Sequence, residues 1–193
     1  MFWLLIEGDN GTGKDTLRAF FERDGWGHSN DNSKAASELD AARRCTGRER
    51  IPAYLRYCHA CATRENEPDS RTVTVRYWPS TLAGGFADGL INEHELDELL
   101  EQCVRDLPAP DGVIELRCDL GTRVERIQQR VPDYSGSIDS IDPDRARLHR
   151  LALDRIASQW RRPWLVLETT TMLPNQVFDA ANAWVTTQGG SAR

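Results

Sequence analysis

The chain has 193 residues, of which 39% are hydrophobic and 28% charged, and its formal net charge is −6. That length suits one domain with a small mobile appendage, and the composition excludes a disordered, collagenous or coiled-coil chain. The acidic balance argues against a nucleic-acid polymer or a membrane surface as partner, while leaving room for a small basic pocket.

The first apolar run, Phe2 to Ile6, reads as a strand buried on both faces. Glu7-Gly8-Asp9-Asn10-Gly11-Thr12-Gly13-Lys14-Asp15-Thr16 follows, with four residues between Gly8 and Gly13 and a lysine directly after. A strand before such a loop and an amphipathic helix after it mark a phosphate-binding loop. Here the helix is carried by Leu17, Phe20 and Phe21 and stopped by Gly25 and Gly27. The glycines let the backbone curl so that N–H groups from Gly8 to Thr16 converge on phosphate oxygens, with the helix aiming its positive end at the same anion. Lys14 adds a full charge at the β- and γ-phosphates. Lys14 and Lys34 are the only lysines in a chain whose other basic residues are arginine. Asp15 stands where the motif usually has a hydroxyl ligand for Mg²⁺, so Asp15 is the candidate metal ligand, with Thr16 as the second choice.

A second strand near Trp26 is weakly marked. Ala53 to Arg64 reads as a helix, and within it Cys58-His59-Ala60-Cys61 reads as packing in preference to a metal or redox pair. The five cysteines are odd in number, no secretory signal precedes them, and no apolar run approaches membrane-spanning length, which points to a reducing cytoplasm. Thr72 to Tyr77 is the next strand. Arg76 near its end is a charge on a buried element and needs a partner, which favours function. Helix Leu96 to Leu107, strand Val113 to Arg117 and helix Arg123 to Arg130 follow. Pro132 to Pro143 is a polar loop between two arginine-bearing helices and reads equally as a surface connection or a lid. Helix Arg145 to Trp160, strand Trp164 to Leu167 and helix Gln176 to Val185 complete the chain. The alternation predicts an α/β fold with a mostly parallel sheet.

With these segments in hand, the pattern resembles the thymidylate kinase family and its deoxynucleotide-kinase relatives. Glu7 to Thr16 is similar to their glycine loop, and Val73-Thr74-Val75-Arg76-Tyr77-Trp78-Pro79-Ser80-Thr81-Leu82-Ala83 to their strand ending in Asp-Arg-Tyr and Ser-Thr-Leu-Ala. Leu107 to Arg117, Asp119 to Arg130 and Trp164 to Glu168 resemble later segments more loosely. The resemblance implies a P-loop kinase fold: a parallel sheet of about five strands flanked by helices, with a mobile lid over about 130–145. It implies ATP- and Mg²⁺-dependent transfer of a phosphoryl group to a (deoxy)nucleoside monophosphate, and it allows a homodimer. Gly8 and Asn10 to Thr16 would bind the ATP phosphates. Arg76 would meet the acceptor's phosphate or the transferring group, with Tyr77 and Ser80 lining the acceptor pocket, and Asp9 and Arg56 joining them there. Arg126, Arg130 and Arg145 would be the lid cations, supplying charge to a reaction that needs positioning more than covalent help.

The chain departs from the family pattern at three places. Asn10 replaces the loop aspartate, Val75 replaces the acid of Asp-Arg-Tyr, and the Thr-Arg-Glu-Pro loop is missing. Two alternatives therefore stand beside the monophosphate kinase: a kinase for a nucleoside or other neutral alcohol, which gains from a carboxylate base such as Asp9, and a nucleotide-binding protein without turnover.

Overall fold

The computed structural model describes residues 1–28, 33–62, 71–130 and 142–189, with the side chains of Ser33, Lys34 and Arg130 outside that description. Five strands form one sheet: β1 (Phe2–Gly8), β2 (Gly27–His28), β3 (Arg71–Val75), β4 (Gly112–Arg117) and β5 (Trp164–Glu168). Their spatial order is β2-β3-β1-β4-β5 and every pairing is parallel. β1 is central, with Ile6 opposite both Val75 and Ile114. β2 and β3 lie on one side of β1 and β4 and β5 on the other, so the strand order reverses about β1 and a crevice opens at its carboxyl end, where such sheets bind ligands.

Period-2 alternation divides β1 between two cores. Leu5 packs with Trp78, Leu82, Leu96, Leu100 and Ile156 on one face. Phe2, Leu4 and Ile6 pack with Leu17, Phe21 and Val177 on the other. The first core is closed by α3 (Arg50–Ala62), α4 (Trp78–Ala87), α5 (Glu93–Asp106) and α7 (Pro143–Gln159). The second is closed by α1 (Lys14–Arg23) and α8 (Pro174–Thr187). α2 (Ser33–Arg44) packs on α3, and α6 (Leu120–Arg130) follows β4. Local signals start several helices: Asn92 and Glu95 form a reciprocal capping box on α5, and Asp142 caps α7.

The α/β class and the four principal strands agree with the sequence reading. α2 and α4 went unread. α4 carries a proline, two glycines and no charge, so helical periodicity is masked. The strand expected to run to Tyr77 ends at Val75, because Arg76 turns into the left-handed region at φ 63°. Of the expected lid, residues 131–141 lie outside the described residues. No helix among the described residues is long and apolar enough to cross a membrane.

Candidate functional site

The phosphate loop leaves the end of β1 as a run of conformations that favour glycine: φ is +129° at Gly8, +80° at Gly11 and +99° at Gly13. Two of these glycines also lack room for a side chain. A Cβ on Gly8 would sit 2.3 Å from the carbonyl oxygen of Leu116 on β4, and one on Gly11 would sit 2.9 Å from that of Arg123 on α6. The loop is thus wedged between the sheet and α6. Gly13 caps α1 with no side-chain hydrogen bond, so the first N–H groups of that helix are left for an anion.

Lys14 is buried, and its Nζ donates to the carbonyl oxygen of Asp9. Thr12 Oγ1 donates to the same oxygen at 2.9 Å. Burial, together with the nearby Arg76 charge, lowers the Lys14 pKa from 10.5 to about 7. Asp15, next in the first turn of α1, is exposed and faces a cleft of about 610 Å³. Thr16 faces the other way, into a cavity of about 420 Å³ lined also by Thr12, Arg126, Met172, Leu173 and Pro174. Asp15 and Thr16 therefore line different cavities.

The larger cleft also brings Arg76, Tyr77, Ser80 and Arg145 together with Lys14. The exposed Arg76 guanidinium donates to Asn10 Oδ1. Arg145 lies across the cleft, paired with Asp88 at 2.6 Å. Arg18, Arg43 and Arg50 with Tyr54 and Tyr57 extend the lining along α1, α2 and α3. Sequence reasoning missed this second group, because nothing local separates these arginines from the others in an arginine-rich chain.

Three expectations need correction. Arg56 does not line the cleft; it is exposed and lies 3.7 Å from Glu38 on α2, because its helical phase points away from Arg50 and Tyr54. Asp9 does not line the larger cleft. Its carboxylate turns to the opposite side of the loop, 2.7 Å from the buried Arg123, beside the buried His149 in a separate cavity of about 290 Å³. Burial pushes the His149 imidazole down to about 4, so it is neutral at pH 7. Burial of Asp9 opposes ionisation, but His149 where its imidazole is protonated, Arg123 and the N–H of Asn10 more than offset it and hold the carboxyl below its usual range. Arg126 is also no free lid cation: it donates to the carbonyl of Thr169 at 2.8 Å and to that of Gly11 at 3.5 Å, and it lines the cavity of Thr16. Arg130 ends α6, and its side chain lies outside the description. Cys58 and Cys61 are buried free thiols, consistent with packing.

Glu7 is the functional candidate that sequence reasoning passed over. Alternation along β1 places it on the α4 face, fully buried. It accepts from the Tyr77 N–H at 2.9 Å and from the Ser80 hydroxyl. Desolvation pushes it up to about 7 against the lowering effect of those bonds and of Arg76 and Lys14.

No family model matches the sequence, and no curated protein matches it. Solved structures do. Deoxyadenosine kinase from M. mycoides with bound dCTP aligns at a TM-score of 0.64 and 12% identity, over 96% of this chain and 100% of that one. The same kinase with bound dATP aligns at 0.63 and 13%, over the same shares. Thymidylate kinase from Candida albicans aligns at 0.66 and 14%, over 97% of this chain and 92% of that one. The chain has the fold of the P-loop nucleoside and nucleotide kinases, along nearly its whole length.

Proposed function

We propose that the protein is a P-loop kinase that moves the γ-phosphoryl group of ATP to a (deoxy)nucleoside monophosphate. The observation that carries this reading is the position of Lys14 and its loop between two cavities. The smaller has polar threonines at the loop and apolar Met172, Leu173 and Pro174 beyond, which suits the base and phosphates of a donor nucleotide. The larger collects Arg18, Arg43, Arg50, Arg76 and Arg145 in a protein whose net charge is negative, which suits an anionic acceptor.

In the reaction an acceptor phosphate oxygen forms a bond to the γ-phosphorus as the bond to the β–γ bridging oxygen breaks. The acceptor is already anionic and needs no base. The loop N–H groups and the α1 N-terminus hold the donor phosphates in place, and Lys14 offsets the charge that shifts toward the leaving oxygen. Arg76, whose partner Asn10 is neutral, is available to a phosphate in the cleft. Asp15 fits a Mg²⁺ ion: it is an exposed carboxylate directly after Lys14 and lines the larger cleft. That is the donor set of an ion held by one carboxylate plus phosphate and water, whose chemistry would be to neutralise phosphate charge.

A second reading, transfer to a nucleoside hydroxyl, is favoured by one observation: Ser80 on the wall of the cleft donates to the buried Glu7 carboxyl behind it, which could take up a proton relayed through that hydroxyl without meeting the substrate. A screen of common nucleosides and their monophosphates with ATP and Mg²⁺, read as ADP release, decides. Preference for a monophosphate supports the proposal, preference for a nucleoside promotes the second reading, and no turnover with any acceptor overturns both.

A further inference from the structure

The turn between β3 and α4 presents Arg76 and Ser80 to the cleft, yet nothing in its own sequence holds it. Arg76 is left-handed without being glycine, and Tyr77, the N-cap residue of α4, makes no side-chain capping bond. Both deficits are met from β1. The Arg76 N–H donates to the Ile6 carbonyl at 3.0 Å. The next N–H, that of Tyr77, donates to one carboxylate oxygen of Glu7 at 2.9 Å, and the Ser80 hydroxyl donates to the other. Glu7 therefore stands in for a capping side chain supplied from another element, its two carboxyl oxygens accepting from the N-cap N–H and from the Ser80 hydroxyl at the start of α4. An apolar residue would satisfy the strand position equally well for packing, since Leu5 two residues earlier does so on the same face. A fully buried carboxylate here needs a reason beyond the core.

We propose that Glu7 is a positioning residue: its buried carboxylate clamps the β3–α4 turn and so fixes Arg76 and Ser80 where they meet the acceptor. The acceptor part of this inference rests on the kinase reading above; the clamp itself does not. Glu7 never touches the substrates, because Tyr77 and Ser80 stand between it and the cleft. Its two acceptor oxygens are both used within the turn.

The test is Glu7→Gln, which keeps the size and one oxygen for the Tyr77 N–H but turns an amide toward Ser80. With the best acceptor from the screen, the acceptor KM should rise tenfold or more while the ATP KM stays within twofold. Glu7→Asp, which keeps the carboxyl group on a shorter stem, should recover part of that loss, and it reads the same split should Glu7→Gln fail to fold. Equal rises in both KM values, or wild-type kinetics, would overturn the proposal. A crystal structure of the folded variant decides independently of turnover. Arg76 released from its left-handed conformation or from Asn10 supports the clamp, and Arg76 unmoved refutes it. A wild-type protein that phosphorylates nothing in the screen counts against the kinase reading and leaves the crystallographic arm to judge the clamp.

Discussion

Replacing Lys14 by methionine should make the protein more stable and much less active. In the folded chain burial brings the ammonium from a pKa of 10.5 to about 7. At pH 7 that represents a net cost of about 4 kcal/mol relative to an exposed lysine, the bond to the Asp9 carbonyl included. Methionine fills similar space with no charge to desolvate, so the variant should gain a few kcal/mol in unfolding free energy. Loss of the phosphate-facing charge should lower turnover by about 100-fold or more. The pH dependence gives the sharper check. Above pH 7 the folded chain sheds the Lys14 proton while the unfolded chain holds it to 10.5, so the unfolded state binds more protons and stability rises with pH. Between pH 7.5 and 8.5 the slope should be about 1 kcal/mol per pH unit. In that window Glu7, pushed up to about 7, has already lost most of its proton, and the buried Cys58 and Cys103 thiols, pushed up by desolvation, oppose the slope little. Urea unfolding of both proteins at several pH values measures this. A wild-type slope that survives in Lys14→Met, or a variant that is less stable at pH 7, would show that the buried amine has been misread.

Three further outcomes are expected. Asp15→Ala should raise the Mg²⁺ concentration for half-maximal ADP release, and Asp15→Ser should partly restore it; unchanged metal dependence in both removes Asp15 as ligand. Arg76→Lys preserves charge and the demand for a left-handed backbone but loses the planar fork, so kcat/KM for the acceptor should fall about tenfold, ~1.4 kcal/mol, with the ATP KM unaltered. Arg123→Ala strips the buried Asp9 carboxylate of its cation and should destabilise the fold by about 3 kcal/mol in urea titrations. A loss under 1 kcal/mol would mean that the pair does not hold the loop.

Much of this protein is written locally. The phosphate loop was legible because its chemistry needs glycines, a lysine and a helix start within ten consecutive residues, Glu7 to Thr16, and backbone conformation is a short-range property. The strands were legible because burial on both faces demands continuous apolar runs. Local sequence could not say which way a polar side chain faces once the layers close. Asp9 sits in the loop yet serves its rear, because Arg123 and His149 arrive there on α6 and α7 from more than a hundred residues away. Arg56 and Arg50 occupy the same helix, and only the packing of α3 on α2 decides that Arg50 lines the cleft and Arg56 does not. Glu7 was visible as a letter of the motif. Its role came from the parallel register that sets β1 beside β3 and lays the start of α4 over a carboxylate 70 residues earlier in the chain. Contacts between distant segments depend on sheet order and helix packing, which minimise exposed apolar surface over the whole chain, so no window of sequence contains them.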